Sequence, residues 1–216
     1  MRIFYNGEDN YRLELAFGND VFVTPLDKQA PLTTGFDYFR SVGYEFELLR
    51  VPRQNGVNLV TLGRLRYDSA NLCFFAAGIS SGSVPSGGSQ ITAGSVDGVA
   101  LIGGRVTRLF NSAAEATFDY RTRIVTLRLE LSGRDQPFGD FIASPSGPIG
   151  QATARLTLPL GSNYFSTATL AGPGNSTGRI GGVVFRGGDA LGLVFELSYP
   201  NGDQIFGAIG TERIPS

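Results

Sequence analysis

The sequence predicts an all-β protein: an antiparallel up-and-down β-barrel of about eight strands with a β-rich N-terminal extension. Nearly every periodic stretch alternates apolar and polar residues with period two, the signature of a half-buried strand. Thirty glycines and eleven prolines are spread through the 216 residues, as expected of short strands joined by tight turns. No segment shows the 3.6-residue periodicity of an amphipathic helix.

The clearest strand covers residues 123–131, where valine or leucine recurs at every second position from Val125 to Leu131. Residues 152–158 and 191–197 repeat this pattern, which puts one face of each strand in a core. Asn201-Gly202 predicts a hairpin turn before the last strand. Two longer Gly/Ser/Pro-rich loops are expected at 78–88 and 134–150. The remaining predicted strands are 12–17, 20–24, 44–50, 57–67, 72–78, 98–108, 114–120, 164–170, 178–186 and 204–211.

The composition changes near residue 56. Residues 57–216 show strand patterns at the spacing typical of a barrel. Residues 1–56 hold much of the aromatic and acidic content and alternate poorly. Because so short a segment does not reliably bury its own core, we predict that 1–56 is an extension packed on the barrel.

Composition excludes several function classes. The net charge of −1 provides no basic field for nucleic acid or an anionic membrane. With no histidine and one cysteine, Cys73, the chain cannot form a His-dependent catalytic triad, an imidazole metal site or an internal disulfide. We therefore expect no cofactor, no metal and an inert, buried thiol. No stretch has the roughly 18 apolar residues of a membrane-spanning helix, and Met1–Asn10 lacks the pattern of a signal peptide.

Two other sets of residues could carry chemistry. Gly178-Arg-Ile-Gly-Gly and Gly103-Gly104 do not open helices, so we interpret these glycines as allowing bends or bulges in strands rather than binding phosphate. Among Asp119, Glu130, Glu196 and Glu212 a carboxylate pair for glycoside hydrolysis could in principle form, but the strand positions of Glu130 and Glu196 favour a solvated outer face. We expect a protein that is not an enzyme.

Aromatic and aliphatic residues at two places are candidates for binding a ligand or partner. Phe138, Phe141 and Ile142 stand in the Gly/Pro/Ser-rich loop 134–150, where they either plug one end of the barrel or contact a partner. Tyr38 and Phe39 belong to an aromatic-rich stretch that is either a binding surface or part of the core of the extension.

Three segments resemble the transferrin-binding-protein-B-like β-barrel family. Ala116–Leu127 resembles a strand-turn-strand of these barrels, with Arg123 where glycine is common. Val84–Gly94 is similar to a loop and strand of the family, and Gln204–Arg213 to its terminal strand. The resemblance covers roughly residues 57–213. It implies an eight-stranded barrel with an N-terminal handle-like region and a lipid-anchored location in the Gram-negative cell envelope, although this sequence has no lipobox cysteine.

The resemblance also implies binding rather than catalysis. The leading hypothesis is therefore an envelope protein that binds a solute, an iron source or a partner protein in nutrient uptake, with the ligand or partner unidentified. A lipocalin-like carrier of an apolar ligand is an alternative, with a cavity lined by small residues such as Ala152, Ala154, Ala168 and Gly182. A structural or adhesive surface barrel is another, favoured by an exposed apolar patch without a cavity.

Overall fold

Antiparallel strands make up 71% of the structure. The computed structural model describes residues 2–5, 11–14, 20–31, 36–49, 60–67, 71–78, 82–109, 111–135 and 146–214. The helical segments in these ranges are 3₁₀ turns of three residues. Accordingly, no helix within the described ranges is long and apolar enough to cross a membrane. The all-β class predicted from period-two patterning is confirmed.

The strands are numbered in chain order. The first group is β1 Arg2–Tyr5, β2 Tyr11–Glu14, β3 Asp20–Val23, β4 Lys28–Gln29, β5 Phe36–Ser41, β6 Tyr44–Leu49, β7 Val60–Tyr67 and β8 Asn71–Gly78. The second group is β9 Ser89–Ile102, β10 Arg105–Leu109, β11 Ala113–Asp119, β12 Ile124–Asp135, β13 Ser146–Thr157, β14 Ala168–Ala171, β15 Thr177–Phe185, β16 Ala190–Ser198 and β17 Gln204–Arg213.

Eight strands of the second group close into a ring, which confirms the predicted up-and-down barrel. From β11 to β17 each strand pairs antiparallel with the next in the chain, and β11 also pairs with β9. The ring closes where β17 pairs with β9, from Thr92 opposite Arg213 to Leu101 opposite Gln204. Because every connection joins neighbouring strands, the loops are divided between the two ends of the barrel.

The strand predicted at 98–108 is wrong, because it is a hairpin. Gly103 and Gly104 form a two-residue turn with φ of +58° and +76°. A type I′ hairpin turn requires a positive φ at both of its central residues. β10 and β11 then run successively along β9. Where the two strands are interrupted, the Ser112 hydroxyl donates to the Ser132 carbonyl oxygen at 2.9 Å and accepts from the Ser132 amide at 2.9 Å.

The interior of the barrel is filled with apolar side chains. Along β11, β12 and β13 the buried residues alternate with exposed ones, as the sequence pattern predicts. The inward side chains form one hydrophobic cluster with Phe195 and Ile209 from the later strands. Its largest fully buried members include Phe118, Leu127, Leu129, Leu131, Leu156, Leu158 and Leu170.

The outer face is covered at β15, β16 and β17. Val60 packs with Phe185 and Ala190 in a second, smaller cluster. Phe74 meets Phe206 edge-on, with ring centroids 5.7 Å apart. The Val60 amide also donates to a Glu212 carboxylate oxygen at 2.9 Å. Elsewhere the outer face carries mostly exposed polar residues, with the apolar side chains of Ile91, Leu101, Val106 and Val194 exposed among them.

The chain divides into two compact units, Met1–Pro52 with Gly63–Cys73, and Arg53–Leu62 with Phe74–Ser216. The second unit contains the barrel. In the first unit, β1, β2 and β3 form an antiparallel sheet, and β4, β5, β6 and the later part of β7 pair in that order. That residues 1–56 pack on the barrel stays a prediction.

A glycine substitution in β15 tests how closely its backbone must approach β16. A methyl group at Gly178 would meet the backbone carbonyl of Glu196, whereas one at Gly181 would make ordinary contact, 3.7 Å from the Thr167 hydroxyl oxygen. We expect Gly178→Ala to lower the free energy of unfolding by about 1–3 kcal/mol because backbone atoms must move. Gly181→Ala is the matched control and should change it by less than about 1 kcal/mol. Urea unfolding measures both, and equal effects would contradict the close approach.

Candidate functional site

Tyr38 and Phe39 are buried on opposite faces of β5. Phe39 lies in an aromatic cluster, with its ring centroid 5.8 Å from Phe46 and 5.7 Å from Tyr11. Tyr38 is 4% exposed. Burial raises the pKa of the Tyr38 hydroxyl, and the Glu45 carboxylate raises it further. That either residue contacts a ligand or partner stays a prediction.

The face that carries Tyr38 also carries buried charge. Arg64 and Glu47 form an ion pair at 3.0 Å, with side chains 8% and 13% exposed. The Arg64 guanidinium also lies 4.8 Å from the centre of the Phe36 ring, a cation–π arrangement. Because both charged side chains are largely buried, leaving either one unpaired would strongly destabilise the fold, and we interpret the ion pair as structural.

Of the two predicted loops, the structure describes part of each. Phe138, Phe141 and Ile142 lie outside the described residues, so their role stays a prediction. Residues 82–88 lie at one end of the barrel, where Val84 packs against the interior cluster and the Gly88 carbonyl accepts from the Tyr120 amide at 3.0 Å. This loop therefore helps to close that end.

Hydrogen bonds between side chains also close this end. The Tyr120 hydroxyl donates to the Gln90 side-chain oxygen at 2.6 Å, and the Gln90 amide group donates to Asp189 at 3.5 Å. Burial raises the pKa of Tyr120, and the nearby Asp189 carboxylate raises it further. A methyl group at Gly188 would meet the Tyr120 ring, so this turn sits directly on the tyrosine.

The residues proposed for a carrier cavity lie among large side chains. Ala152 and Ala154 are buried in the interior cluster, and Ala168 packs against it. A methyl group at Gly182 would meet backbone atoms of Gly192 and Leu193. Gly182 therefore packs closely against the backbone of β16 and does not line an open cavity. In the part of the barrel that the structure describes, hydrocarbon side chains thus occupy the centre.

The carboxylates considered for catalysis point away from the interior. Glu130 forms an exposed ion pair with Arg128 at 3.0 Å, and Glu196 an exposed pair with Arg179 at 4.0 Å. Asp119 is the last residue of β11, and its carboxylate accepts amides of the following turn. Its pKa is lowered, first by the hydrogen bond from the Thr122 amide. Among the described residues these acids form no facing pair of the kind that glycoside hydrolysis needs.

Metal-binding and redox candidates are equally limited. The described residues contain no group of three or more His, Cys, Asp and Glu side chains placed to hold a metal ion. Cys73 is free and half-buried, rather than fully buried as predicted.

The loop between β13 and β14, residues 158–167, is held in place on both sides. The Arg123 guanidinium donates to the carbonyl oxygens of Leu158 at 2.9 Å, Pro159 at 3.0 Å and Ser162 at 3.4 Å. On its other side the Asn163 carbonyl accepts from the Val184 amide at 2.8 Å. The loop is therefore fixed between the β11–β12 turn and the end of β15.

The tip of this loop presents apolar groups to solvent. We call residues 159–164 the tip loop. Its turn closes where the Ser162 amide donates to Pro159 at 3.1 Å, with Gly161 at φ +73°. Leu160 is 90% exposed and Tyr164 is 68% exposed. A large apolar side chain held outward by a rigid turn is typical of a binding surface, because no reorganisation is needed on association.

No pattern in the sequence predicts the tip loop as a site. A Pro-Leu-Gly turn signal stands at 159–161, but exposure cannot be read from pattern alone. Arg123 stands at a position where glycine is common in the resembling family. Its φ of +57° gives the reason, since glycine adopts this conformation without strain. The strain in an arginine costs on the order of 1 kcal/mol, which the three hydrogen bonds of its side chain offset.

A second exposed apolar group lies in the first unit. Phe22, Leu26 and Val42 are all exposed. The Tyr44 hydroxyl lies 2.7 Å from the Phe22 carbonyl oxygen and 3.1 Å from an Asp27 carboxylate oxygen. Both of these oxygen atoms are hydrogen-bond acceptors, so the Tyr44 hydroxyl is their shared donor and links the segment 22–27 to the start of β6.

The ionisation of this pair is shifted. Burial first, and then the hydrogen bond to Asp27, raise the pKa of Tyr44 from 10.0 to about 12. Burial alone would raise the pKa of Asp27, but hydrogen bonds from Thr24 and Tyr44 outweigh it and the net shift is downward. The neutral phenol and the charged carboxylate are thus the forms that the fold favours.

Comparison with known proteins identifies the fold. No protein-family model and no curated protein matches the chain. Solved structures do: isotype 1 transferrin binding protein B from serogroup B Neisseria meningitidis matches with a TM-score of 0.63 at 12% identity, over 100% of this chain and 41% of that chain. A double mutant of transferrin binding protein B from Haemophilus parasuis Hp5 gives 0.57 at 11% identity, over 96% and 45%. Intact Ap-TbpB, with N and C lobes, gives 0.55 at 12% identity, over 95% and 45%.

These likenesses confirm, at the level of fold, the resemblance predicted from the three sequence segments. The chain spans less than half the length of the structures it matches.

Substitution of Arg123 tests the fixation of the tip loop. We expect Arg123→Ala to lower the free energy of unfolding by about 1–3 kcal/mol, because it removes three hydrogen bonds and keeps an unfavourable φ. Hydrogen exchange at the backbone amides of residues 160–164 should become faster. Arg128→Ala, on the exposed outer face, is the control and should leave that exchange unchanged. Unchanged exchange in Arg123→Ala would contradict the role of its side chain.

Alkaline titration tests the Tyr44 contact. Because the folded pKa of about 12 exceeds the ordinary 10.0, the stabilisation is complete below pH 10 and is lost as the pH rises through 12. The pKa of Asp27 is lowered in the folded state, so Asp27 stabilises the fold at pH values above its ordinary pKa of 3.8. This stabilisation is lost as the pH falls through the lower, folded pKa. We expect Tyr44→Phe to remove the latest component of the tyrosinate absorbance titration. Retention of that component in Tyr44→Phe would assign it elsewhere.

Proposed function

We propose that this chain is a non-enzymatic binding protein of the bacterial cell envelope, and that it binds a protein partner through the tip loop. The observation that carries the proposal is the outward projection of Leu160 and Tyr164 from a loop fixed by Arg123. Exposed aromatic and aliphatic groups on rigid supports are the usual anchors of protein interfaces. The likeness to structures named transferrin binding protein B supports a binding role for this fold.

A protein partner is favoured over a small solute because of where the apolar surface lies. The interior is occupied by the cluster that includes Phe118 and Leu129, whereas the tip loop offers apolar surface outside the barrel. A carrier of an apolar ligand would need the opposite distribution. In small barrels whose centre is filled, binding moves to the loops at the ends.

The location and the biological role are part of the proposal. Proteins of this fold named as transferrin-binding suggest a function in nutrient uptake at the cell envelope, with a lipid anchor as the resembling family implies. Two further predicted sites stay separate proposals: Phe138, Phe141 and Ile142 in the loop 134–150, and Tyr38 with Phe39 in the first unit.

An adhesive role is the second candidate, and one observation favours it. Leu160 and Tyr164 are exposed apolar residues on a barrel whose described interior is packed. In that case the tip loop would contact another copy of this chain or a surface component rather than a nutrient-carrying protein.

Site-specific photo-crosslinking in the native organism tests the proposal. A photoreactive phenylalanine analogue placed at Leu160 or Tyr164 should give a discrete adduct with one other protein, because both side chains project into solvent. The same analogue at Thr153, exposed on the outer face of β13, is the matched control. Mass spectrometry of the adduct identifies what is bound.

The outcomes separate the alternatives. An adduct with a different protein at the tip loop but not at Thr153 supports the proposed function. An adduct with a second copy of this chain supports the adhesive alternative. Adducts that are absent or equal at all three positions would sink the proposal that the tip loop binds a partner.

A further inference from the structure

The tip loop lies between two turns that each present an exposed arginine. On one side, Arg123 bonds to the loop, and Arg121 stands two residues earlier in the same turn. On the other side, Val184 bonds to the loop, and Arg186 follows two residues later. Arg121 and Arg186 are both exposed. The two connections that hold the tip loop thus each carry an exposed arginine.

The loop itself adds no charge. From residue 156 to residue 178 the sequence contains no Asp, Glu, Lys or Arg. The electrostatic potential at the tip is therefore set by charged residues of neighbouring segments that lie within about one Debye length of it.

Arg186 adopts a conformation that arginine does not favour. Its φ is +45°, in the left-handed region, where the next residue, Gly187, also lies with φ +68°. Arg123 shares such a φ, but its side chain makes three hydrogen bonds to the tip loop. The Arg186 side chain makes no hydrogen bond or ion pair with the residues that the structure describes, so no such bond accounts for an arginine here.

The acids near these arginines are already engaged. Asp189 lies 3.9 Å from the Arg213 guanidinium and accepts from Gln90 at 3.5 Å. Asp119 accepts the backbone amides of Arg121 and Thr122 at 3.0 and 3.2 Å. These carboxylates therefore serve the turns, and the Arg186 guanidinium remains directed to solvent.

We propose that the tip loop recognises an acidic segment of a protein partner, with Arg186 and Arg121 binding carboxylates on either side of an apolar side chain that contacts Leu160 and Tyr164. This inference rests on the proposed function and specifies the chemistry of the partner. A guanidinium presents paired N–H donors whose geometry matches a carboxylate, which makes arginine the suitable residue for this contact. The apolar centre supplies contact area, and the charges supply selectivity.

Two short peptides test the charge preference directly. One is the acidic peptide Asp-Glu-Leu-Phe-Glu-Asp, and the other is its uncharged counterpart Asn-Gln-Leu-Phe-Gln-Asn. Amide chemical shifts of the ¹⁵N-labelled protein report where each peptide binds and how tightly. We expect the acidic peptide to shift amides at 160–164 and 186–188, and to bind at least about fivefold more tightly than the uncharged one. Raising NaCl from about 0.1 M to about 1 M should remove most of that difference.

Two variants assign the preference to Arg186. Arg186→Gly removes the guanidinium and places glycine at a positive φ, so its melting temperature should be unchanged or higher while the preference for the acidic peptide falls. Arg155 is exposed on the outer face of β13, and Arg155→Ala should change neither the melting temperature nor the preference for the acidic peptide. A preference that survives in Arg186→Gly overturns the inference.

The peptide results and the crosslinking results can fail separately. Equal affinities of the two peptides, shifts elsewhere on the barrel, or no shifts with either peptide would overturn the acidic-partner inference, even if Leu160 crosslinks to a protein in cells. An acidic preference at the tip loop without any crosslink would support the recognition chemistry and refute the proposed function in cells.

Discussion

The barrel depends on the pairing of its last strand with its first, and this pairing depends on backbone contact. Three glycines face inward along the seam between β9 and β17: Gly94, Gly98 and Gly207. A methyl group at any of them would meet backbone atoms of the opposite strand. Closing only eight strands requires sharp local bending, and glycine permits it because no side chain separates the strands. The same feature recurs between β15 and β16 at Gly178 and Gly182.

A narrow ring has a consequence for function. Leucine and phenylalanine side chains fill its described interior, so we place the proposed binding surface on a loop outside the strands. One end is closed by Val84, by the Tyr120–Gln90 hydrogen bond and by the turn at Gly188. With that end closed, the tip loop projects from a firm base rather than from the rim of a cavity.

Sequence reasoning succeeded where one face is uniformly apolar, as in 123–131 and 152–158. It failed in β9, because inward glycines at 94 and 98 remove the apolar positions and Ile91 and Leu101 face outward. It also missed β5, where aromatic residues on both faces hide the period of two. The candidate site was harder still. Exposure of a leucine depends on contacts made by Arg123, which is 37 positions away from Leu160 in the chain, and no local pattern records such contacts.

Two arginines in left-handed conformations show how strain can be interpreted. At Arg123, bonds from the side chain to the carbonyl oxygens of the tip loop explain why arginine is kept where glycine is common in the resembling family. At Arg186 the same strain is present without such bonds among the described residues. A conformation that costs stability persists when something else depends on the residue. Arg123 fixes the tip loop, and Arg186, in the connection on the other side of the loop, is available to the partner that we propose.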